Sequence, residues 1–121
     1  MILVVDDDAQ VRATIARSVA ALGYGVREAA SGRTALAMIE EERPSMVILD
    51  FMMPGLDGAE TAREIARIDA EIPVVFSTGH AALRALRNAA GDEASILEKP
   101  FTLEELDQLI RETLPARRVR A

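Results

Sequence analysis

Three consecutive aspartates, Asp6, Asp7 and Asp8, follow an apolar run from Ile2 to Val5, and a second apolar run, Met46 to Leu49, ends in Asp50. Carboxylates placed this way do joint chemistry only if the two runs are neighbours. If they are adjacent parallel strands, Asp6, Asp7 and Asp50 converge at one sheet edge. Two bare carboxylates about 4 Å apart repel by roughly 4 kcal/mol at an effective dielectric near 20. Such a cluster calls for a cation. An all-oxygen donor set suits a hard one, Mg²⁺ first and Mn²⁺ as the alternative.

The elements that must position these acids follow from periodicity and punctuation. Ile2 to Val5 is wholly apolar and rich in β-branched residues, the mark of a strand buried on both faces. Val11, Ile15, Val19 and Leu22 recur at helical spacing, with Asp8 as N-cap and Gly23 as the stop. Val26 to Ala29 is a weaker strand, and Ser31 caps a second helix with Ala35, Leu36, Met38 and Ile39 inward. Pro44 closes that helix before the strand at Met46 to Leu49. The Pro54-Gly55 and Asp57-Gly58 pairs punctuate a loop, and Ala62, Ile65 and Ile68 mark a third helix. Val74 to Ser77 is a further buried strand, Ala81 to Ala90 a helix-favouring stretch stopped by Gly91, and Ser95 to Glu98 a fifth strand. Thr102 and Glu105 form a capping box for a last helix with Leu106, Leu109, Ile110 and Leu114 inward, ended by Pro115.

Strands and helices alternate with short connections, which implies parallel strands, right-handed crossovers and helices on both faces. In such open sheets, functional groups gather beyond the carboxyl ends of the strands. Those places hold Asp6 and Asp7, Ala30 and Ser31, Asp50, Thr78, and Lys99. Three carboxylates suit a divalent metal, a hydroxyl donates to a phosphoryl oxygen, and a lysine neutralises one. No catalytic triad order and no Gly-Lys-Ser/Thr phosphate loop is present.

Composition narrows the function class. A chain of 121 residues, half of them apolar, has the size of one domain with its own core. A formal net charge of −6 argues against non-specific binding to nucleic acid or to anionic membrane. The absence of cysteine excludes thiol and disulfide chemistry, and 3% aromatic content disfavours base stacking. No apolar stretch is long enough to span a bilayer and no signal peptide precedes the first strand, so the expectation is a cytoplasmic domain. Residues 1–115 are expected to form the domain and residues 116–121, with Arg117, Arg118 and Arg120, a short basic tail.

Four motifs in order, Val4-Val5-Asp6-Asp7, Ile48-Leu49-Asp50 running on to Gly58, Phe76-Ser77-Thr78-Gly79, and Lys99-Pro100-Phe101, resemble the receiver domains of two-component response regulators. The resemblance covers Ile2 to about Leu114. It implies a flavodoxin-like, doubly wound (βα)5 three-layer sandwich with a parallel five-stranded sheet in the order 2-1-3-4-5. It also implies a phosphorelay role, in which Asp50 takes a phosphoryl group from a phosphohistidine on a histidine kinase or histidine phosphotransfer protein. By the same resemblance Asp7, Asp50 and the backbone carbonyl of Met52 hold Mg²⁺, and Asp6 acts closely or through water. Thr78 and Lys99 hold phosphoryl oxygens, and the Lys99–Pro100 bond is expected to be cis. Met52 and His80 are expected to flank the site and tune hydrolysis; read without the family, His80 is an exposed loop residue. Asp8 is assigned to capping, Asp57 to its turn, and Met53 to the core.

The chain departs from the family pattern at Ile96, where many receivers carry Tyr or Phe as a rotameric switch. The short, alanine-rich stretch between Thr78 and Gly91 and the Ser-Thr-Gly-His run resemble receivers attached to hybrid histidine kinases, with a stand-alone regulator as the equal alternative. The competing classes are a haloacid-dehalogenase-like phosphatase, whose nucleophile follows its first strand, and a degenerate receiver acting only as a binding module.

Overall fold

The computed structural model describes residues 1–114; Pro115 and the basic tail lie outside the described residues. Five strands alternate with helices: β1 (Ile2–Val5), α1 (Ala9–Ala21), β2 (Val26–Ala29), α2 (Gly32–Glu41), β3 (Met46–Asp50), α3 (Gly58–Ile68), β4 (Val74–Gly79), α4 (Leu83–Ala90), β5 (Ser95–Lys99) and α5 (Leu103–Thr113). All strand pairs are parallel, and the sheet order is β2-β1-β3-β4-β5. This is the flavodoxin-like order expected above.

Strand alternation divides the core into two layers. Leu3, Val5, Val47, Leu49 and Phe76 face α2, α3 and α4, where they meet Ala35, Ile39, Ala59, Ile65 and Leu86. Ile2, Val4, Met46, Ile48, Val75 and Leu97 face α1 and α5, where they meet Ile15, Val19, Leu106 and Ile110. Each large apolar side chain fully buried this way contributes about 1.5–3 kcal/mol relative to exposure. β1 and β3 lie inside the sheet and are apolar at every residue up to Asp50 because both faces are covered. Among the described residues no helix is long and apolar enough to cross a membrane.

Helix starts set the loops of the carboxyl edge. The Asp8 side chain accepts from the Gln10 and Val11 amides, and Ser31 accepts from Thr34. Thr102 and Glu105 form a full capping box. Asp57, expected only to shape a turn, is in fact the N-cap of α3 and forms a second capping box with Glu60. An Asp-Gly pair signals a turn and a cap equally well, and only the register of the following helix separates them. The stretch before Gly91 also differs from a single helix: a 3₁₀ turn over His80–Ala82 precedes an α4 of 8 residues whose start has no side-chain cap.

Candidate functional site

Asp6 directly follows β1 and Asp50 ends the adjacent β3, with Val5 opposite Leu49 in the register. Asp6, Asp7 and Asp50 each offer a carboxylate oxygen, and those oxygens lie within 4.8 Å of one another. Asp6 and Asp50 are buried, at 2% and 7% exposure, while Asp7 is exposed. The cluster is therefore closed beneath and open on one side.

Lys99, the last residue of β5, crosses β4 to reach the acids. Its Nζ lies 3.3 Å from Asp6 Oδ2 and 3.5 Å from Asp50 Oδ1. The other Asp6 oxygen accepts the Asp8 amide at 2.9 Å. Asp6 thus has two partners, and one ammonium is shared between two buried carboxylates. The balance falls short at Asp50, whose carboxyl is pushed up to about 6 from an ordinary 3.8. Burial is the largest cause and the Asp6 charge comes next, against the lowering effect of Lys99. A site short of positive charge, lined by oxygen donors and open at Asp7, fits a hard divalent cation.

Of the remaining expected residues, Thr78 is 1% exposed and donates its hydroxyl to the Gly79 carbonyl at 3.3 Å rather than to the acids. The alternation along β4 sets Thr78 on the Phe76 side, toward α2, α3 and α4. Met52 is 63% exposed beside Asp50, whereas Met53 is buried in the core as expected. His80 turns toward β5, with Nδ1 3.4 Å from Glu98 Oε2, and its side chain is 86% exposed. The Lys99–Pro100 peptide is cis.

Several contributors were not legible in the sequence. Arg12 of α1 donates to the Asp6 carbonyl at 2.9 Å and to Glu28 Oε1 of β2 at 3.1 Å, tying the acidic loop to the neighbouring strand. Gly58 opens α3 so close to the strand end that a Cβ there would stand 2.6 Å from Phe51 Cα and 2.8 Å from the Asp50 carbonyl oxygen. Its amide donates to the Phe51 carbonyl, which folds the loop back under Asp50. Ser77, opposite Asp50 in the register, is 1% exposed, and its Oγ has no hydrogen-bond partner among the described residues. Its proximity follows only from the strand register, which sequence spacing does not carry.

A doubly wound parallel sheet with three acids and one lysine at its carboxyl edge defines a receiver-type α/β protein. The family model described as the response regulator receiver domain matches residues 2–111. The response regulator MprA of Mycolicibacterium vanbaalenii is 41% identical over 121 residues, covering 94% of this chain and 52% of that protein. The chain thus spans about half the length of the curated relatives it matches. Among solved structures, the receiver domain of NtrX from Brucella abortus superposes with a TM-score of 0.88 at 33% identity, over 95% of this chain and 98% of that one. A response regulator receiver domain protein from Clostridium thermocellum gives 0.88 at 29% identity, over 99% and 98%. The chain belongs to the response regulator receiver domain family of two-component systems.

Proposed function

We infer that the chain is a phosphoacceptor whose nucleophile is the Asp50 carboxylate and whose donor is a phosphohistidine on a histidine kinase or histidine phosphotransfer protein. The observation that carries this reading is the closure of Asp6, Asp7 and Asp50 to within 4.8 Å, with the Lys99 amine against two of them. In the transfer, an Asp50 oxygen forms a bond to phosphorus as the P–N bond to the donor imidazole breaks and its electron pair leaves on nitrogen. Such a step depends on alignment and charge neutralisation more than on acid–base chemistry. Asp7, Asp50 and the Met52 carbonyl would hold a Mg²⁺, with Asp6 close by, and the bound ion would supply neutralisation of the phosphoryl oxygens. Lys99 adds a point charge from the β5 side. Thr78 reaches a phosphoryl oxygen only by exchanging its present bond to Gly79, which makes it a responder to the product rather than a preset donor.

The surroundings suit a protein donor. A groove of about 420 Å³ runs beside the site between Val11 and Ile15 of α1 and Phe101 and Leu103, with Lys99 at its edge. Met52 and Leu103, at 63% and 49% exposure, are the exposed large apolar side chains among the described residues.

The test is Mg²⁺-dependent labelling by acetyl phosphate or phosphoramidate. The expected result is one acyl phosphate per chain, absent from Asp50→Asn, with no turnover of small phosphate esters. Steady ester hydrolysis would instead favour the dehalogenase-like phosphatase, and no labelling would favour a degenerate binding module. Met52 and His80 are assigned to tuning the lifetime of the product; an unchanged dephosphorylation rate in His80→Ala removes His80 from that role.

A further inference from the structure

Ser77 faces Asp50 across the β3–β4 pair and Leu97 across the β4–β5 pair. Alternation along the strand sets it on the face of Val75, Ile48 and Leu97, the side of α1 and α5. Asp50 and Lys99 lie two residues beyond Ile48 and Leu97, so all three polar residues share that face. The Lys99 backbone pairs with Gly79, yet its Nζ reaches Asp50 Oδ1, and Asp50 lies level with Ser77. The lysine side chain therefore runs back across β4 at the level of Ser77.

The hydrogen-bond inventory at this point is unbalanced. A lysine ammonium has three donors, and Asp6 and Asp50 account for two. A buried hydroxyl with neither donor nor acceptor satisfied is disfavoured, and native proteins rarely keep one without a reason. On the opposite face of the sheet, Ile96 packs against the Phe76 layer and carries no polar atom or aromatic ring to report on the site.

We propose that Ser77 is a positioning residue for Lys99, a role that rests on Asp50 being the acceptor. When a phosphoryl group on Asp50 draws the ammonium away from Asp6, the Ser77 hydroxyl accepts its third hydrogen bond and holds it over a phosphoryl oxygen. Among the described residues the hydroxyl has no partner in the resting state, and the loaded state pairs it, so the residue biases the switch toward the loaded form.

The test compares parent, Ser77→Ala and Ser77→Thr chains by thermal unfolding with Mg²⁺, with and without beryllofluoride as the phosphoryl mimic. Lys99 is the only lysine in the chain, so ¹⁵N-lysine labelling adds a single ammonium signal as a second readout. Ser77→Ala is expected to melt no lower than the parent without beryllofluoride. It should bind beryllofluoride about tenfold more weakly, the size of one lost bond to a charged group, and shift the loaded Lys99 signal. Ser77→Thr, which keeps the hydroxyl, should restore both. Equal beryllofluoride affinity in Ser77→Ala and parent overturns the proposal, as does an unloaded Ser77→Ala that melts well below the parent. A parent that shows no beryllofluoride-dependent rise at all overturns the Asp50 assignment itself, and this role with it.

Discussion

Asp50 is held ionised against its surroundings. Its carboxyl is pushed up to about 6 from 3.8 by burial and by Asp6, so the folded chain binds the proton more tightly than the unfolded chain. The sign follows directly. Between pH 3.8 and about 6 the native state carries more protons, and its stability falls as pH rises through that window. Above it the penalty is fully present, at roughly 3 kcal/mol. Metal-free Asp50→Asn should therefore unfold at higher temperature than the parent at pH 7, and the gain should vanish by pH 4. A gain independent of pH in calorimetry would show that the carboxylate is not strained. At Lys99 the prediction is a loss: Lys99→Ala leaves two buried carboxylates without their shared cation, so metal-free stability should fall most at neutral pH and least in acid. At this scale the grouping of the acids was legible in the sequence, because charged residues closing apolar runs stand out, whereas Lys99, preceded by Glu98, drew notice only through its companions at the other strand ends. The double contact of Lys99, the turn of His80 toward Glu98 and the Arg12 clamp were not, since each depends on where a long side chain reaches across the sheet.

The loops that hold these residues are fixed by helix starts. Gly58 has a packing duty beyond its turn: its α-hydrogen faces the backbone that follows Asp50. Gly58→Ala should cost about 1–3 kcal/mol from overpacking and lower labelling further by moving Asp50; a chemical-denaturation midpoint equal to the parent's would refute the close approach. Thr102→Ala removes the capping oxygen from α5 and should cost about 1 kcal/mol with little change in labelling, which separates scaffold from site. The capping boxes illustrate what sequence carries at this scale. Thr102 with Glu105 was readable because nothing competed with a cap there, whereas Asp57 with Glu60 lay behind an Asp-Gly pair that reads as a turn. The 3₁₀ start of α4 was equally hidden, since alanine-rich sequence supports either helix type.

Across the whole molecule, alternation of strand and helix established parallel strands and two helical layers, but periodicity alone does not order the strands. The 2-1-3-4-5 order came from motif resemblance and is the order observed. It brings β1 beside β3 and so carries the acids of two separate segments to one edge. A ligand bound only at that edge stabilises the whole domain by mass action, about 2.7 kcal/mol at one hundred times its dissociation constant. Saturating Mg²⁺ should thus raise the melting temperature of the parent, and Asp7→Ala should abolish most of the rise while leaving the metal-free transition nearly unchanged. An equal rise in both chains would move the ion elsewhere.

The solitary lysine has a practical corollary. Apart from the N-terminal amine, the one amine able to take an acyl tag sits within 3.5 Å of Asp6 and Asp50, because all the other permanent cations are arginines. Amine-directed footprinting of this chain consequently interrogates one side chain alone, and the rate of adduct formation at residue 99 becomes a direct gauge of how tightly the acids grip it.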